Sequence, residues 1–130
     1  MPGTGKTVLV VDDFVTSRYA TCRVLRQANY TTLEAGTASD AVLKAHQHHP
    51  DAIVLDVNLP DESGMAILKQ LRNASDTKSI PVVFLTATAQ TDFDRSKAEA
   101  LGASAYLFSP VPPDTLLSIV GGIIERGVGH

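Results

Sequence analysis

Residues 7–13 read Thr7-Val8-Leu9-Val10-Val11-Asp12-Asp13, an apolar run that ends in two acids. So continuous a run of aliphatic residues is typical of a strand buried on both faces, as in a parallel sheet between two layers of helices. Two later runs have the same character, Ala52-Ile53-Val54-Leu55-Asp56 and Val82-Val83-Phe84-Leu85-Thr86. Together the three runs predict an α/β fold.

Strand-like and helix-like segments alternate along the whole chain, and residues at helical spacing mark the helices. This alternation predicts one doubly wound, five-stranded parallel sheet flanked by five helices rather than a closed barrel. The predicted strands cover residues 7–12, 31–35, 52–56, 80–85 and 104–108. The predicted helices cover 15–28, 38–48, a segment opened by the loop 58–64, 92–101, and a segment after Pro112-Pro113. Gly121-Gly122 predicts that the last helix frays or ends early.

Composition describes one ordinary domain. The 130 residues are 44% hydrophobic and 19% charged, and their net charge of −3 argues against broad contact with nucleic acid or anionic membranes. No apolar run approaches the length of a membrane span. The single cysteine, Cys22, excludes an intrachain disulfide and is typical of a reducing cytoplasm. We expect a disordered stub at 1–6, the domain at 7–126 and a tail at 127–130.

Polar residues lie where the predicted strands end. Asp12 and Asp13 follow the first strand, Asp56 ends the third, and Thr86 and Ser109-Pro110 end the last two. Ligands of an open parallel sheet bind beyond the carboxyl ends of its strands. Crowded carboxylates repel each other unless a divalent cation or shared protons hold them. One aspartate alone, such as Asp13, could simply cap a helix, but the set predicts phosphoryl chemistry on an aspartate.

These motifs resemble the receiver domains of bacterial two-component response regulators, especially the single-domain chemotaxis type. The similarity runs from about Val8 to Ile124. It rests on Asp12-Asp13, on Asp56-Val57-Asn58-Leu59-Pro60-Asp61-Glu62-Ser63-Gly64, on Thr86-Ala87, on Tyr106 and on Pro110. The resemblance implies a flavodoxin-like sheet of strand order 2-1-3-4-5, which the chemotaxis protein itself exemplifies.

The resemblance also implies a role for each acid. Asp56 would be the nucleophile that accepts the phosphoryl group. Mg²⁺ would be bound directly by Asp13, by Asp56 and by the backbone carbonyl of Asn58, and through water by Asp12. The cation would cancel repulsion among the acids and offset the charge that builds on the phosphoryl oxygens.

The remaining matches imply a switch. The Thr86 hydroxyl would bind a phosphoryl oxygen, and Tyr106 would then rotate inward and change the face formed by the fourth helix, fifth strand and fifth helix. Pro110 matches a loop proline that often follows a cis peptide bond. The phosphodonor would be a histidine kinase or a histidine phosphotransfer protein, and a downstream protein would bind the changed face. We expect no direct contact with nucleic acid or membrane, a cytoplasmic location, and no turnover activity beyond the domain's own phosphorylation and dephosphorylation.

Ser109 departs from the family pattern, which has a lysine immediately before the proline. Serine donates one neutral hydrogen bond, whereas a charge-assisted bond is about twice as strong. Two outcomes are open. Asp56 is still phosphorylated while the conformational response weakens, or the domain is a receiver-like interaction module that switches poorly or without phosphate. The retained aspartates, Thr86 and Tyr106 favour the first outcome.

Other motifs support rival functions less well. Gly3-Thr4-Gly5-Lys6-Thr7 lacks the preceding strand and glycine of a phosphate-binding P-loop. A haloacid-dehalogenase-like phosphatase would need Asp-x-Asp after the first strand, and a flavodoxin-like cofactor binder would need a phosphate-cradling loop. A cluster of histidines, His46, His48 and His49, ends the second predicted helix. Solvated histidines favoured by the helix dipole are the main interpretation, and a surface metal site is the lesser one.

Overall fold

A computed structural model of the chain describes residues 5–57, 59–61, 63–87, 99–100, 102–109 and 111–126. Its strands are β1 (Thr7–Val11), β2 (Thr31–Ala35), β3 (Ala52–Asp56), β4 (Val82–Ala87) and β5 (Ala105–Ser109). The helices described over their length are α1 (Val15–Gln27), α2 (Ala38–His48), α3 (Gly64–Arg72) and α4 (Pro113–Arg126). Within these described ranges, no helix combines the length and apolar character needed to cross a membrane.

The strands form one parallel sheet in the order β2-β1-β3-β4-β5, which confirms the predicted fold and strand order. The chain passes from β1 to β2 on one side and then returns to place β3 on the other side of β1. The strand order therefore reverses between β1 and β3, and a ligand site is expected at the carboxyl ends of these two strands.

Each face of the sheet is covered by a separate apolar core. Side chains of a strand point alternately to the two faces, so the apolar runs supply both cores at once. One core joins the sheet to α2 and α3 through Leu9, Val11, Ile53, Leu55, Phe84, Ala41, Ala45, Ile67, Leu68 and Leu71. The other joins it to α1 and α4 through Val8, Val10, Val54, Val83, Cys22, Leu25, Leu116, Val120 and Ile123. Burial on both faces explains why β1, β3 and β4 have almost no polar positions, in contrast to the edge strand β2.

Several predicted boundaries shift by one or two residues. β1 ends at Val11 and α1 at Gln27, one residue before the prediction in each case. β5 begins and ends one residue later than predicted. β4 begins at Val82 instead of residue 80, because Pro81 has no N–H to donate to the ladder. Its far end reaches Ala87, so Thr86 lies inside the strand.

The expectation that the last helix frays at its glycines is wrong. α4 continues through Gly121 and Gly122 to Arg126. Its buried side chains, Leu116, Val120 and Ile123, lie on both sides of the glycine pair and hold the helix against the sheet. Tertiary packing of an apolar stripe thus outweighs a local propensity cost of roughly 1 kcal/mol per glycine.

The fourth predicted helix, at 92–101, lies outside the described residues except for Glu99 and Ala100, which are helical. Gly102 follows with a φ of 96°, the left-handed conformation expected of a glycine that ends a helix. Residues 1–4 and 127–130, which belong to the predicted stub and tail, also lie outside the described ranges.

Candidate functional site

The carboxyl ends of β1 and β3 bring the three predicted aspartates together. Val11 pairs with Leu55 in the sheet, so the residues that follow them, Asp12 and Asp56, lie side by side. One carboxylate oxygen from each of Asp12, Asp13 and Asp56 lies within 4.8 Å of the others. Asp12 is buried, Asp56 is half-buried and Asp13 is exposed, so the acidic cluster opens to solvent on the side of Asp13.

Asp12 is fixed by hydrogen bonds through its side chain and its backbone. Its Oδ1 accepts a bond of 2.9 Å from the N–H of Phe14, and its own N–H donates to the Ala35 carbonyl at 3.0 Å. Its carbonyl accepts a bond of 2.7 Å from Arg18 Nη1, and Arg18 Nε pairs with Glu34 at 3.0 Å. The orientation of this acid is therefore set by β2 and α1 as well as by β1.

The alternative that Asp13 caps α1 is wrong. Phe14 is the N-cap residue of α1, and no side chain makes a capping hydrogen bond there. The Phe14 N–H is instead satisfied by Asp12. Asp13 is therefore not engaged as the cap of α1, and its carboxylate lies with those of Asp12 and Asp56.

The electrostatics of the cluster favour a cation. Burial is the largest cause that raises the pKa of Asp12, and the negative charge of Asp13 raises it further. The hydrogen bond from Phe14 and the charge of Arg18 act in the opposite direction without reversing the shift. Three carboxylates in a half-open pocket supply the hard oxygen ligands that Mg²⁺ prefers, and the cation would offset their repulsion. The donor set therefore fits the predicted metal.

The loop between β3 and α3 is held close to the acids. Val57 donates to the Leu85 carbonyl at 3.1 Å, and Gly64 donates to the Val57 carbonyl at 2.7 Å. A Cβ on Gly64 would lie 2.8 Å from the backbone oxygen of Asp56 and 3.0 Å from the Phe84 ring. Only glycine fits there without a shift of neighbouring atoms, so this residue allows α3 to begin directly beside the acidic cluster.

The other predicted site residues are placed less completely. Asn58 and Pro110 lie outside the described residues. The backbone of Thr86 lies near the end of β4 and that of Ser109 ends β5. In the ladder between these strands, Thr86 pairs with Phe108 and Ala87 pairs with Ser109. Both positions lie at the same edge of the sheet as Asp12 and Asp56, as the sequence predicted.

Tyr106 is half-buried on β5 and packs against the core that joins the sheet to α2 and α3. Its ring lies edge-on to that of Phe108, with centroids 6.3 Å apart and planes at 75°. Phe108 is 39% exposed, so the aromatic pair lies at the surface end of β5.

Two residues near the acids were missed by the sequence analysis. Arg18 binds the Asp12 carbonyl from α1, and Asp61 accepts hydrogen bonds from the N–H groups of Ala38 and Ser39 at the start of α2. Arg18 is six residues after Asp12, which precedes α1, so helical spacing does not connect the two. No local pattern connects residue 61 with residue 38, since that contact depends on how α2 packs beside α3.

The family model for the response regulator receiver domain matches residues 8–121. The chain belongs to this family. It is 35% identical over 121 residues to the phosphate regulon transcriptional regulatory protein PhoB of Escherichia coli, a match that covers 93% of this chain and 52% of PhoB. The receiver domain thus spans about half the length of that relative. Domains of this family function in two-component phosphorelay signalling.

Solved structures share the fold of this receiver domain. The chemotaxis response regulator CheY4 of Vibrio cholerae is 31% identical with a TM-score of 0.84, over 92% of this chain and 99% of CheY4. The receiver domain of sensor histidine kinase PA1611 of Pseudomonas aeruginosa is 26% identical with a TM-score of 0.85, over 94% of this chain and 99% of that one. The PA1611 structure is described with a magnesium ion coordinated in its active-site cleft.

Proposed function

We propose that this receiver domain accepts a phosphoryl group on Asp56 in the presence of Mg²⁺ and passes the change on to a downstream protein. The observation that carries the proposal is the convergence of Asp12, Asp13 and Asp56, whose carboxylate oxygens lie within 4.8 Å of one another. A phosphate-independent interaction module would gain nothing from so costly a concentration of like charge.

The reaction follows from this placement. An oxygen of Asp56 attacks phosphorus and forms an acyl phosphate, while the bond from phosphorus to the donor's imidazole nitrogen breaks and that nitrogen takes up a proton. Asp13, Asp56 and the Asn58 carbonyl would hold Mg²⁺, with Asp12 acting through water. The cation would neutralise charge on the phosphoryl oxygens. Asp12 is already fixed by Phe14, Ala35 and Arg18, so its position requires little reorganisation.

The response to phosphorylation would start at Thr86 and Tyr106. A hydroxyl at position 86, on the strand next to β3, can bind a phosphoryl oxygen on Asp56. Tyr106 is half-buried, so an inward rotation would bury more of its ring. Ser109 replaces the cation of the family pattern, so position 109 offers no positive charge to offset the new phosphoryl charge, and we propose a weaker switch than a lysine would give. Pro110 would shape the loop after β5.

Three apolar side chains next to the acids support a protein phosphodonor. Phe14, Val15 and Tyr19, at the start of α1, are between 56% and 71% exposed. Phe14 and Val15 come directly after Asp13, and Tyr19 lies one helical turn beyond Val15. A partner that covered these side chains would bring its own reactive group to Asp56. We propose that a histidine kinase or a histidine phosphotransfer protein binds there. The downstream protein would use the face that includes β5 and α4, in the cytoplasm and without direct contact to nucleic acid or membrane. The functional unit would be 7–126.

Phosphorylation is tested with Mg²⁺ and acetyl phosphate, followed by intact mass. The parent chain should gain one phosphoryl group and an Asp56→Asn variant should gain none. A Ser109→Lys variant serves as the matched comparison, because it restores the family's cation without touching the acids. If Ser109→Lys gains the adduct and the parent chain does not, the parent is not a phospho-acceptor.

The donor surface is tested with a phosphorylated histidine phosphotransfer protein. A Phe14→Ala/Tyr19→Ala variant should accept the phosphoryl group more slowly from this protein and at an unchanged rate from acetyl phosphate. An equal loss with both donors would mean that the substitutions disturb the site itself, and no loss with either would mean that the donor docks elsewhere.

A further inference from the structure

A second group of potential metal ligands lies at the far end of α2, at the edge of the sheet opposite Asp56. α2 has 11 residues, so its two ends are separated by about 15 Å. His46 and His49 come from the end of this helix, and Asp76 comes from the connection between α3 and β4. The ligands therefore belong to two segments that are thirty residues apart in the chain.

Both histidines approach the same carboxylate oxygen. His46 Nδ1 lies 2.6 Å from Asp76 Oδ2, and His49 Nε2 lies 3.6 Å from the same atom. The hydrogen bond with His46 is the largest cause that lowers the pKa of Asp76. His48 makes no ion pair with Asp76 within the described residues, although it lies on the same turn.

The backbone around these ligands is well fixed. His49 is the C-cap of α2 in the left-handed conformation, with a φ of 46°, and its N–H donates to the Ala45 carbonyl at 3.0 Å. Glycine or asparagine is the usual residue in that conformation. Next to Asp76, the buried Thr77 hydroxyl donates to the Leu71 carbonyl at 2.8 Å. Two ligands are therefore presented from anchored positions.

We propose that His46, His49 and Asp76 bind a borderline divalent transition metal, represented by Zn²⁺. Two imidazole nitrogens and one carboxylate are a ligand set that Zn²⁺ accepts, and water would complete the coordination. Imidazole nitrogen is a poor ligand for Mg²⁺. The two clusters would therefore select different metals, the acids a hard cation and the histidines a softer one.

Two of the three ligand-to-ligand separations are already short enough for this binding, and the third requires the histidine side chains to rotate. Zn²⁺–ligand bonds of about 2.0–2.2 Å in tetrahedral geometry place neighbouring ligand atoms roughly 3.3 Å apart. His49 and Asp76, at 3.6 Å, are already close to that separation. His46 and Asp76 would move apart, because Nδ1 can bind the metal only when the hydrogen bond between these two atoms is given up. The ring nitrogens of His46 and His49 are farther apart, since the three residues do not form a group with all ligand atoms within 4.8 Å of one another. They would have to be brought together by rotation of side chains that are 39% and 56% exposed.

Zn²⁺ bound there would connect the end of α2 to the segment before β4. A ligand that binds the folded chain and not the unfolded chain stabilises the fold, and the stabilisation grows with the logarithm of ligand concentration. The metal should therefore raise the thermal unfolding midpoint in addition to binding at one equivalent.

The test is a calorimetric titration of the full chain with Zn²⁺ in the presence of saturating Mg²⁺, which keeps the acidic cluster occupied. The parent should bind one equivalent, and His46→Ala, His49→Asn and Asp76→Asn should each weaken binding on the order of tenfold or more. Asparagine is chosen at position 49 because it tolerates the left-handed backbone. His48→Ala is the matched control and should leave the affinity within about twofold.

Two further readouts separate a metal site from a loss of fold. Circular dichroism should show all four variants folded, and Co²⁺ should give the parent a visible absorption band that His46→Ala lacks. The proposal is overturned if the parent binds Zn²⁺ no more tightly than the His46→Ala chain, or if His48→Ala weakens binding as much as the other substitutions.

Discussion

The carboxylate of Asp61 accepts a hydrogen bond of 2.8 Å from the backbone N–H of Ala38, a residue 23 positions away at the start of α2. A second bond of 3.1 Å comes from the N–H of Ser39. The loop that follows the proposed phospho-acceptor thus caps the neighbouring helix, whose own N-cap, Thr37, accepts a bond from Asp40. A carboxylate at a helix N-terminus is favoured by the unpaired N–H groups and by the helix dipole.

Removing the charge of Asp61 should lower stability at neutral pH but not in acid. The hydrogen bond from Ala38 is the largest cause that lowers the pKa of Asp61 below its ordinary value of 3.8. A depressed carboxyl pKa stabilises the fold above the unfolded pKa, and this contribution disappears as pH falls through the folded pKa. Urea unfolding should therefore separate Asp61→Asn from the parent at pH 7, with the difference shrinking below pH 3.8.

The control for that experiment is Thr37→Ala, which removes the neutral cap of the same helix. It should cost about 1 kcal/mol at both pH values, because a hydroxyl does not titrate. If Asp61→Asn shows the same pH-independent loss, the charge of Asp61 is not what stabilises the helix.

Gly64→Ala should destabilise the domain by about 1–3 kcal/mol, as overpacking of a close contact does. Its new Cβ would lie 2.8 Å from the backbone oxygen of Asp56, so either that strand end or α3 must move. The free energy of unfolding in urea measures the cost, and phosphorylation of the same variant shows whether Asp56 has shifted.

Gly121→Ala is the matched comparison for Gly64→Ala. Position 121 lies inside α4, and the nearest neighbour of a new Cβ is the Tyr30 hydroxyl at 3.6 Å, an ordinary contact. Alanine should therefore stabilise α4 by roughly 0.5–1 kcal/mol. If both variants lost the same free energy of unfolding, the close contacts around Gly64 would not be the cause of the loss.

Cys22 should resist alkylation in the native protein. Its side chain is fully buried, and burial is the largest cause that raises the pKa of the thiol, followed by the negative charge of Glu34. Reaction requires the thiolate, so both exposure and ionisation oppose it. In denaturant, iodoacetamide should modify Cys22 completely. Under native conditions, modification should be no faster than unfolding of the chain. Rapid modification of the native chain would mean that α1 opens locally.

Asp13→Asn should weaken Mg²⁺ binding about tenfold or more, since a lost charged ligand is worth about 1.5–3 kcal/mol. The dependence of the thermal unfolding midpoint on Mg²⁺ concentration measures the affinity. Asp40→Asn removes an acid of the same charge that pairs with Lys44 on α2 and should leave the affinity unchanged. A similar loss of Mg²⁺ affinity in both variants would mean that the net charge of the chain, and not direct binding by Asp13, causes the effect.

Much of the fold could be predicted from local pattern. Continuous apolar runs indicate strands buried on both faces of a parallel sheet. Acids at the ends of those runs indicate a ligand site, because parallel strands bring their carboxyl ends to one edge of the sheet. Asp12, Asp13 and Asp56 could be found in this way. The start of β4 was not predicted correctly, because it depends on Pro81. The continuation of α4 through its glycines was not predicted either, because it depends on packing around Val120.

The sequence by itself determined the sheet, its helices and the three acids, because apolar residues recur along the chain at the spacing of the buried positions of strands and helices. Only the tertiary structure decided that Asp61 caps α2, that Arg18 fixes Asp12, and that His46 and His49 meet Asp76. The reason is physical. Each of these contacts joins a polar side chain to a group in another segment of the chain. Such contacts follow from the relative position of packed helices and loops, which no periodicity encodes.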